Sequence, residues 1–146
     1  MLELLPQYTW PTDCFPLASL CVRVDELAKR FEMPVFTWVE EGLGPARGFG
    51  CRLASGCVFL LEELEESIRR TRAKGPNVYV DAADVARHGV EKMVDDVLDG
   101  LCLTRADVDW LPGPAAWANA STIALKVRAY ELRRQSGADQ DSSGES

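Results

Sequence analysis

The side chain with the greatest potential for acid/base chemistry is His88, the only histidine of the 146-residue chain. A Ser-His-Asp or Cys-His catalytic arrangement would have to use it. His88 precedes Gly89 between two segments of helical pattern. This position is typical of an exposed connector or a helix end, where the helix dipole favours histidine. The sequence therefore predicts no catalytic residue and a protein that is not an enzyme.

Cysteine is the second candidate, with five residues scattered along the chain: Cys14, Cys21, Cys51, Cys57 and Cys102. The number is odd, and no pair has the two-residue spacing of zinc ligands or redox dithiols. Free cysteine mostly behaves as a small buried hydrophobe. We therefore expect reduced thiols in a cytoplasmic protein with no cofactor and no metal, although distant ligands can still converge on a metal in a fold.

Adjacent carboxylates occur at four places: Glu40-Glu41, Glu62-Glu63, Glu65-Glu66 and Asp95-Asp96. Acid/base hydrolysis needs two carboxyl groups that face each other across a cleft, and adjacency alone does not indicate this. The acidic run at 62–66 precedes a basic run at 69–74. That order complements a helix dipole and allows i,i+4 ion pairs, so a self-neutralised helix is predicted over residues 62–73.

A glycine-rich stretch at residues 42–48 and the tryptophans are the remaining candidates for a small-ligand site. The stretch matches no phosphate-binding motif and lies between two predicted strands, so it is predicted to be an ordinary loop. Trp110 and Trp117 flank a Pro-Gly-Pro break and could wall a pocket with this loop. An enzyme or ligand-binding domain with a site there or near His88 is therefore the competing hypothesis. Such a site would need a cleft that desolvates His88 or a carboxylate.

The charge of the chain excludes several classes of partner. Its net charge is −7 and its pI about 4.7, so phosphate backbones and anionic membranes are repelled. No stretch approaches 18 consecutive apolar residues, and residues 1–16 lack the pattern of a secretory signal. We therefore expect no nucleic acid and no membrane as a partner, and a basic protein if the partner is macromolecular.

Acidity is concentrated in residues 75–111, which hold eight acids and three bases, whereas residues 112–134 hold one acid and four bases. Asp95, Asp96 and Asp99 project from the polar side of a predicted helix, with no basic turn after them. They lie near the helix C-terminus, where the dipole opposes negative charge. We predict that they form a partner-binding surface with Asp107 and Asp109. The alternative is a solvated acidic face that aids solubility.

Hydrophobic periodicity and turn residues supply the elements that would position these groups. Strands are predicted at 35–40, 49–53, 57–61 and 77–80, helices at 19–31, 62–73, 90–101, 104–110 and 116–134, and a turn capped by Asp81 at 81–86. The predicted fold class is α+β: an antiparallel three-stranded meander plus a possible fourth strand, packed with four to five helices. Residues 1–134 would form one globular domain that starts with an extended arm at 1–18, and residues 135–146 a disordered tail.

In size, acidity, single-domain α/β character and lack of a catalytic motif, the chain resembles the small acidic immunity proteins of bacterial toxin–immunity systems. The resemblance implies that the protein neutralises a cognate toxin domain by covering its active site with an acidic surface. Complementary charge would speed this association and select the partner. An adaptor or chaperone for a secreted effector, which would also be small and acidic, is the alternative within the binding class.

Overall fold

A computed structural model describes residues 2–11, 13–40, 42–65 and 75–111 of the chain. In chain order its elements are β1 (Glu3–Leu5), β2 (Cys14–Leu20), α1 (Val24–Arg30), β3 (Phe36–Glu40), β4 (Gly44–Arg52), β5 (Val58–Leu64), β6 (Asn77–Asp81), α2 (Ala82–His88), α3 (Val90–Gly100) and β7 (Val108–Trp110). Single 3-10 turns occupy Gln7–Thr9 and Arg105–Asp107. The predicted helix at 116–134, the predicted tail and Trp117 lie outside these ranges.

The strands form one seven-stranded antiparallel sheet in the order β1-β4-β5-β6-β2-β7, with β3 paired to β4 along the same edge as β1. The predicted hairpin of residues 49–53 and 57–61 is confirmed as part of β4 and β5. Gly56 closes its turn with a φ of 93°, a left-handed conformation that glycine adopts without steric cost. The sheet therefore has β5 near its centre, as the continuously apolar run predicts.

The two faces of the sheet have different coverings. Side chains alternate between faces along a strand, so Phe59, Leu61 and Glu63 of β5 point one way and Leu60 and Glu62 the other. The first face packs against the three helices in the main hydrophobic core. Leu60 is buried but lies outside that core. The second face carries no helix of the described chain and is partly covered by the segment between β1 and β2.

Local sequence signals explain why α2, α3 and the second 3-10 turn form where they do. Val90, Met93, Val94, Val97 and Leu98 of α3 are buried and form one apolar stripe, which confirms the predicted helix. The Asp81 side chain accepts the Ala83 N–H at 2.9 Å and caps α2. Thr104 and Asp107 form the predicted capping box. That box opens a 3-10 turn followed by β7, and not the helix predicted to Trp110.

The predicted fold class is wrong: the structure has seven strands where three or four were predicted, and three α-helices in the described chain where four to five were predicted. The predicted arm at 1–18 contains β1 and most of β2. Pro16 is tolerated in β2 because it lies beside a register shift, and the neighbouring β7 pairs only with Ser19 and Leu20. The predicted fourth strand is β6, which pairs antiparallel with β5 and β2.

Three other predicted elements have different bounds in the structure. The predicted helix at 19–31 is a strand end followed by α1, because Leu20, Val24 and Leu27 reach the same core from two elements. Residues 44–48 of the predicted loop belong to β4. The predicted helix at 62–73 is a strand as far as Leu64, and residues 66–73 lie outside the described ranges. Within the described residues no helix has the length and apolarity needed to cross a membrane.

Candidate functional site

The helix-free face of the sheet holds an open cleft of about 430 Å³. Its walls are the segment between β1 and β2, the end of β3, and the middle of β5 and β6. The aromatic and ionisable side chains that line it are Trp10, Cys14, Trp38, Glu40, Glu62 and Tyr79. None of the described residues that line it is basic. We call it the acidic cleft.

Trp10 fits into the acidic cleft because Gly50, which has no side chain, leaves room for its indole ring. The indole lies against Gly50, where a Cβ atom would sit 2.7 Å from the Trp10 Nε1 atom. Nε1 donates to the Leu5 carbonyl oxygen at 3.3 Å. The ring meets Trp38 edge to face, with centroids 4.9 Å apart. The two indoles therefore form a preorganised aromatic wall.

Two carboxyl groups complete the acidic cleft. The Trp38 Nε1 atom donates to Glu40 Oε2 at 2.8 Å. The Glu62 carboxyl hydrogen-bonds with Glu40 and with the side chains of Tyr79 and Trp38. Glu62 is only 6% exposed. A buried carboxyl group and a half-buried one thus lie beside two indole rings.

The surroundings of Glu62 favour its protonated form. Burial raises its pKa to about 7, and the nearby Glu40 charge and the hydrogen bond between the two carboxyl groups act in the same direction. Burial likewise raises the pKa of Cys14 to about 11 and that of Tyr79 above its usual value, with acidic neighbours adding to both shifts. Near neutral pH the Glu62 carboxyl is therefore partly protonated, because burial and a neighbouring carboxylate both disfavour its charged form.

This arrangement is chemically suited to a cation. Indole rings attract cations through their π faces, and carboxylates accept charge-assisted hydrogen bonds from them. A glycosidase-type reaction is disfavoured because its two carboxyl groups must be separated by the scissile bond or a water. Here they are joined by a hydrogen bond. This geometry therefore suits the binding of a cation better than the hydrolysis of a glycoside.

The carboxylates predicted to bind a partner lie elsewhere, on α3 and after it. Asp95 accepts from Arg105 at 2.7 Å, and Asp96 lies 3.2 Å from Lys92. Asp99 is exposed, Asp107 belongs to the capping box, and Asp109 is exposed on β7. The basic partners missing from the following turn are thus supplied by the preceding turn and by Arg105. Two of the five carboxylates, Asp95 and Asp96, are therefore already paired within the chain.

The structure also assembles residues that sequence reasoning left apart. Around His88 it places Cys57 and Asp84, whose donor atoms all lie within 4.8 Å of one another and of the histidine ring. Burial raises the pKa of the Cys57 thiol, which opposes the thiolate that a nucleophile needs. Of the predicted pocket walls, Trp110 is 48% exposed on β7, at the opposite edge of the sheet from β1 and β3.

Glu40 and Glu62 were missed because adjacency of carboxylates does not indicate a site, and because Glu62 was assigned to a helix. One signal was available for Glu62: the apolar run of β5 continues past it to Leu64. A strand of that length places Glu62 on the same face as Leu60. The contribution of Trp10 had no local signal, because its contacts with Gly50 and Trp38 join distant segments.

The chain matches no known protein family, no curated protein and no solved structure.

Proposed function

We propose that this protein is a binding protein for a basic protein partner, and that the acidic cleft takes up a cationic side chain of that partner. One observation carries the proposal. A hydrogen-bonded pair of carboxyl groups, with Glu62 only 6% exposed, lines an open cleft in which no described lining residue is basic. Buried carboxylates are otherwise paired with a cation or hydrogen-bonded in full.

Arginine is the cation that suits the cleft best. Its planar guanidinium stacks on indole rings and donates in a fork that matches carboxylate oxygens. Entry of such a group would displace the proton from Glu62 to solvent and leave that carboxyl ionised, because an opposite charge favours the charged form. The volume of about 430 Å³ lies within the range of specific ligand sites.

The same strand shows what a compensated carboxylate looks like. Glu63 has a fully buried side chain, and it accepts from Arg23 at 3.1 Å and from the Val24 N–H at 2.8 Å. Glu62 has acidic and neutral neighbours instead. A partner cation would supply in trans what Arg23 supplies to Glu63 within the chain.

The class of partner follows from charge and from the resemblance to immunity proteins. A net charge of −7 favours a cationic toxin domain, whose active-site basic residue would be the group that enters the cleft. The proposal includes a cytoplasmic location, in keeping with five unpaired cysteines. The carboxylates at Asp95, Asp96, Asp99, Asp107 and Asp109 would contribute at the periphery, where exposed charges mainly affect the association rate.

A peptide titration tests the proposal. Acetyl-Gly-Arg-Gly-amide would be titrated into the full chain while the indole N–H signals of Trp10 and Trp38 are followed by NMR. The citrulline peptide has nearly the same shape without the charge and is the ligand control. We expect saturable shifts with arginine, and roughly tenfold weaker binding for Glu62→Gln, the equivalent of one charge-assisted hydrogen bond.

Asp99→Asn is the matched control variant, because it removes one exposed carboxylate from α3 and leaves the acidic cleft intact. It should bind the arginine peptide as the unmodified protein does. Equal shifts from the citrulline peptide, or unchanged arginine binding by Glu62→Gln, would overturn the proposal.

A further inference from the structure

A second cluster lies on the helix-bearing side of the molecule and has no part in the acidic cleft. It consists of Cys57, immediately before β5, and of Asp84 and His88 on α2. One sulfur, one carboxylate oxygen and one ring nitrogen lie within 4.8 Å of one another. The sequence predicts no metal site, because these three residues are not spaced as a known ligand motif.

Local structure explains why the three residues meet. Asp84 and His88 are four residues apart, so they lie on the same side of α2 one turn from each other. The helix is anchored at its start by the Asp81 cap and ends at Gly89, whose φ is 86°. Cys57 follows the β4–β5 turn and is buried, with its N–H 3.4 Å from Ser55 Oγ.

The geometry points to a zinc site formed by Cys57, Asp84 and His88, with the fourth position open to water. Zinc is bound by thiolate, imidazole and carboxylate, and three protein ligands plus water is an established arrangement. In a tetrahedral site the donor atoms lie roughly 3.3–3.7 Å apart, as follows from metal–ligand bonds of about 2.0–2.3 Å. The three donors, all within 4.8 Å of one another, lie close to that spacing, and we infer that side-chain rotation completes it.

The charges around the cluster are compatible with a divalent cation. Asp84 and Asp96 are close enough to act on the Cys57 thiol, and Arg87 opposes them. Arg87 lies 3.7 Å from Asp84 but is 59% exposed, so it can turn into water when the carboxylate binds metal. Zinc would displace the Cys57 proton to solvent and form the S–Zn bond, releasing about one proton per ion bound at neutral pH.

Metal titration of the full chain tests this inference. Chelator-treated protein would be titrated with Zn²⁺ by calorimetry and with Co²⁺ by absorption spectroscopy. We expect one ion per chain, a thiolate-to-cobalt charge-transfer band in the near ultraviolet, and a higher unfolding temperature with Zn²⁺. Cys57→Ser should abolish the band, and His88→Gln should weaken Zn²⁺ binding by at least roughly tenfold.

Cys102→Ser is the matched control, because Cys102 is a free, exposed cysteine at the far end of α3. It should keep both the band and the affinity. Cobalt binding without a thiolate band, or zinc affinity unchanged in His88→Gln, would overturn the inference. So would an equal loss in Cys102→Ser. His88→Gln leaves the buried Cys57 in place, so it tests the site even where Cys57→Ser fails to fold. None of these outcomes bears on the acidic cleft.

Discussion

Glu62 and Glu63 are neighbours in β5, yet the two faces of the sheet treat their carboxyl groups in opposite ways. On the helix-bearing face, Glu63 is paired with Arg23 and accepts the first N–H of α1. On the other face, Glu62 shares a hydrogen bond with another carboxyl group and has its pKa raised to about 7. The first arrangement pairs a buried charge within the chain, whereas the second costs stability and leaves Glu62 without a cationic neighbour, the position that the proposed partner cation would take.

The largest expected effect comes from removing the compensated carboxylate. In Glu63→Ala, the Val24 N–H loses its buried acceptor and Arg23 loses its partner. We expect the free energy of unfolding to fall by about 3 kcal/mol, at the low end for a broken buried ion pair because Arg23 can turn to solvent. Urea unfolding at pH 7 measures it. A change below about 1 kcal/mol would mean that the two carboxyl groups do not differ as described.

The uncompensated carboxyl group of Glu62 should make the free energy of unfolding depend on pH. The unfolded chain loses the Glu62 proton near the ordinary pKa of 4.5, whereas the folded protein holds it up to about 7. Between these values the folded state binds more protons, so the contribution of Glu62 to stability declines as pH rises through this window. We expect a decline of about 2 kcal/mol relative to Glu62→Gln, after allowance for solvent in the open cleft.

Unfolding of both proteins at pH 4.5, 6 and 8 measures this difference. At pH 8, Glu62→Gln should be the more stable protein even though it binds the arginine peptide less well, the trade-off expected when a site is kept at the expense of stability. Parallel pH curves for the two proteins would contradict the raised pKa.

Disturbing the aromatic wall of Trp10 and Trp38 should have the next largest effect on stability. In Gly50→Val the new side chain meets the Trp10 indole, whose Nε1 would lie 2.7 Å from the added Cβ. We expect a loss of about 1–2 kcal/mol in stability, since overpacking is partly offset by removing glycine from a strand. The NMR shifts that the arginine peptide causes at the Trp38 indole should be reduced by a larger fraction than the free energy of unfolding. Arg52→Val, on the same face of β4 and exposed, is the control that should keep those shifts.

The sequence predicts part of the fold on which these two carboxyl groups lie. The β4–β5 hairpin and α3 follow from local periodicity and turn residues, and the structure has both. The strand β2 was missed because Pro16 suggested an arm and because Leu20 continues the apolar stripe of α1. The acidic cleft was missed for a different reason. The environment of Glu62 is set by Glu40, Trp38 and Tyr79, which belong to strands that meet only in the folded sheet.

The smallest expected effect belongs to the surface that the sequence favoured. Changing Asp95, Asp96 and Asp99 together to Asn removes the pairs with Arg105 and Lys92, each worth about 0–1 kcal/mol at an exposed site. It also removes negative charge from the last turns of α3, which relieves an unfavourable dipole interaction of about 0.3–1 kcal/mol. The two effects oppose each other, so stability should change by less than about 0.5 kcal/mol.

Arginine-peptide binding by this triple variant should stay within about twofold of the unmodified protein at 0.15 M salt, because exposed charges farther than about 8 Å from the ligand are screened. The control is the same titration at 0.01 M salt, where a modest weakening is expected as screening is lifted. A tenfold loss at the higher salt would place the binding surface on α3 and would reverse the comparison between exposed and buried carboxylates. Exposure keeps the effect of each α3 carboxylate on stability small, and two of the three are already paired, Asp96 with Lys92 and Asp95 with Arg105.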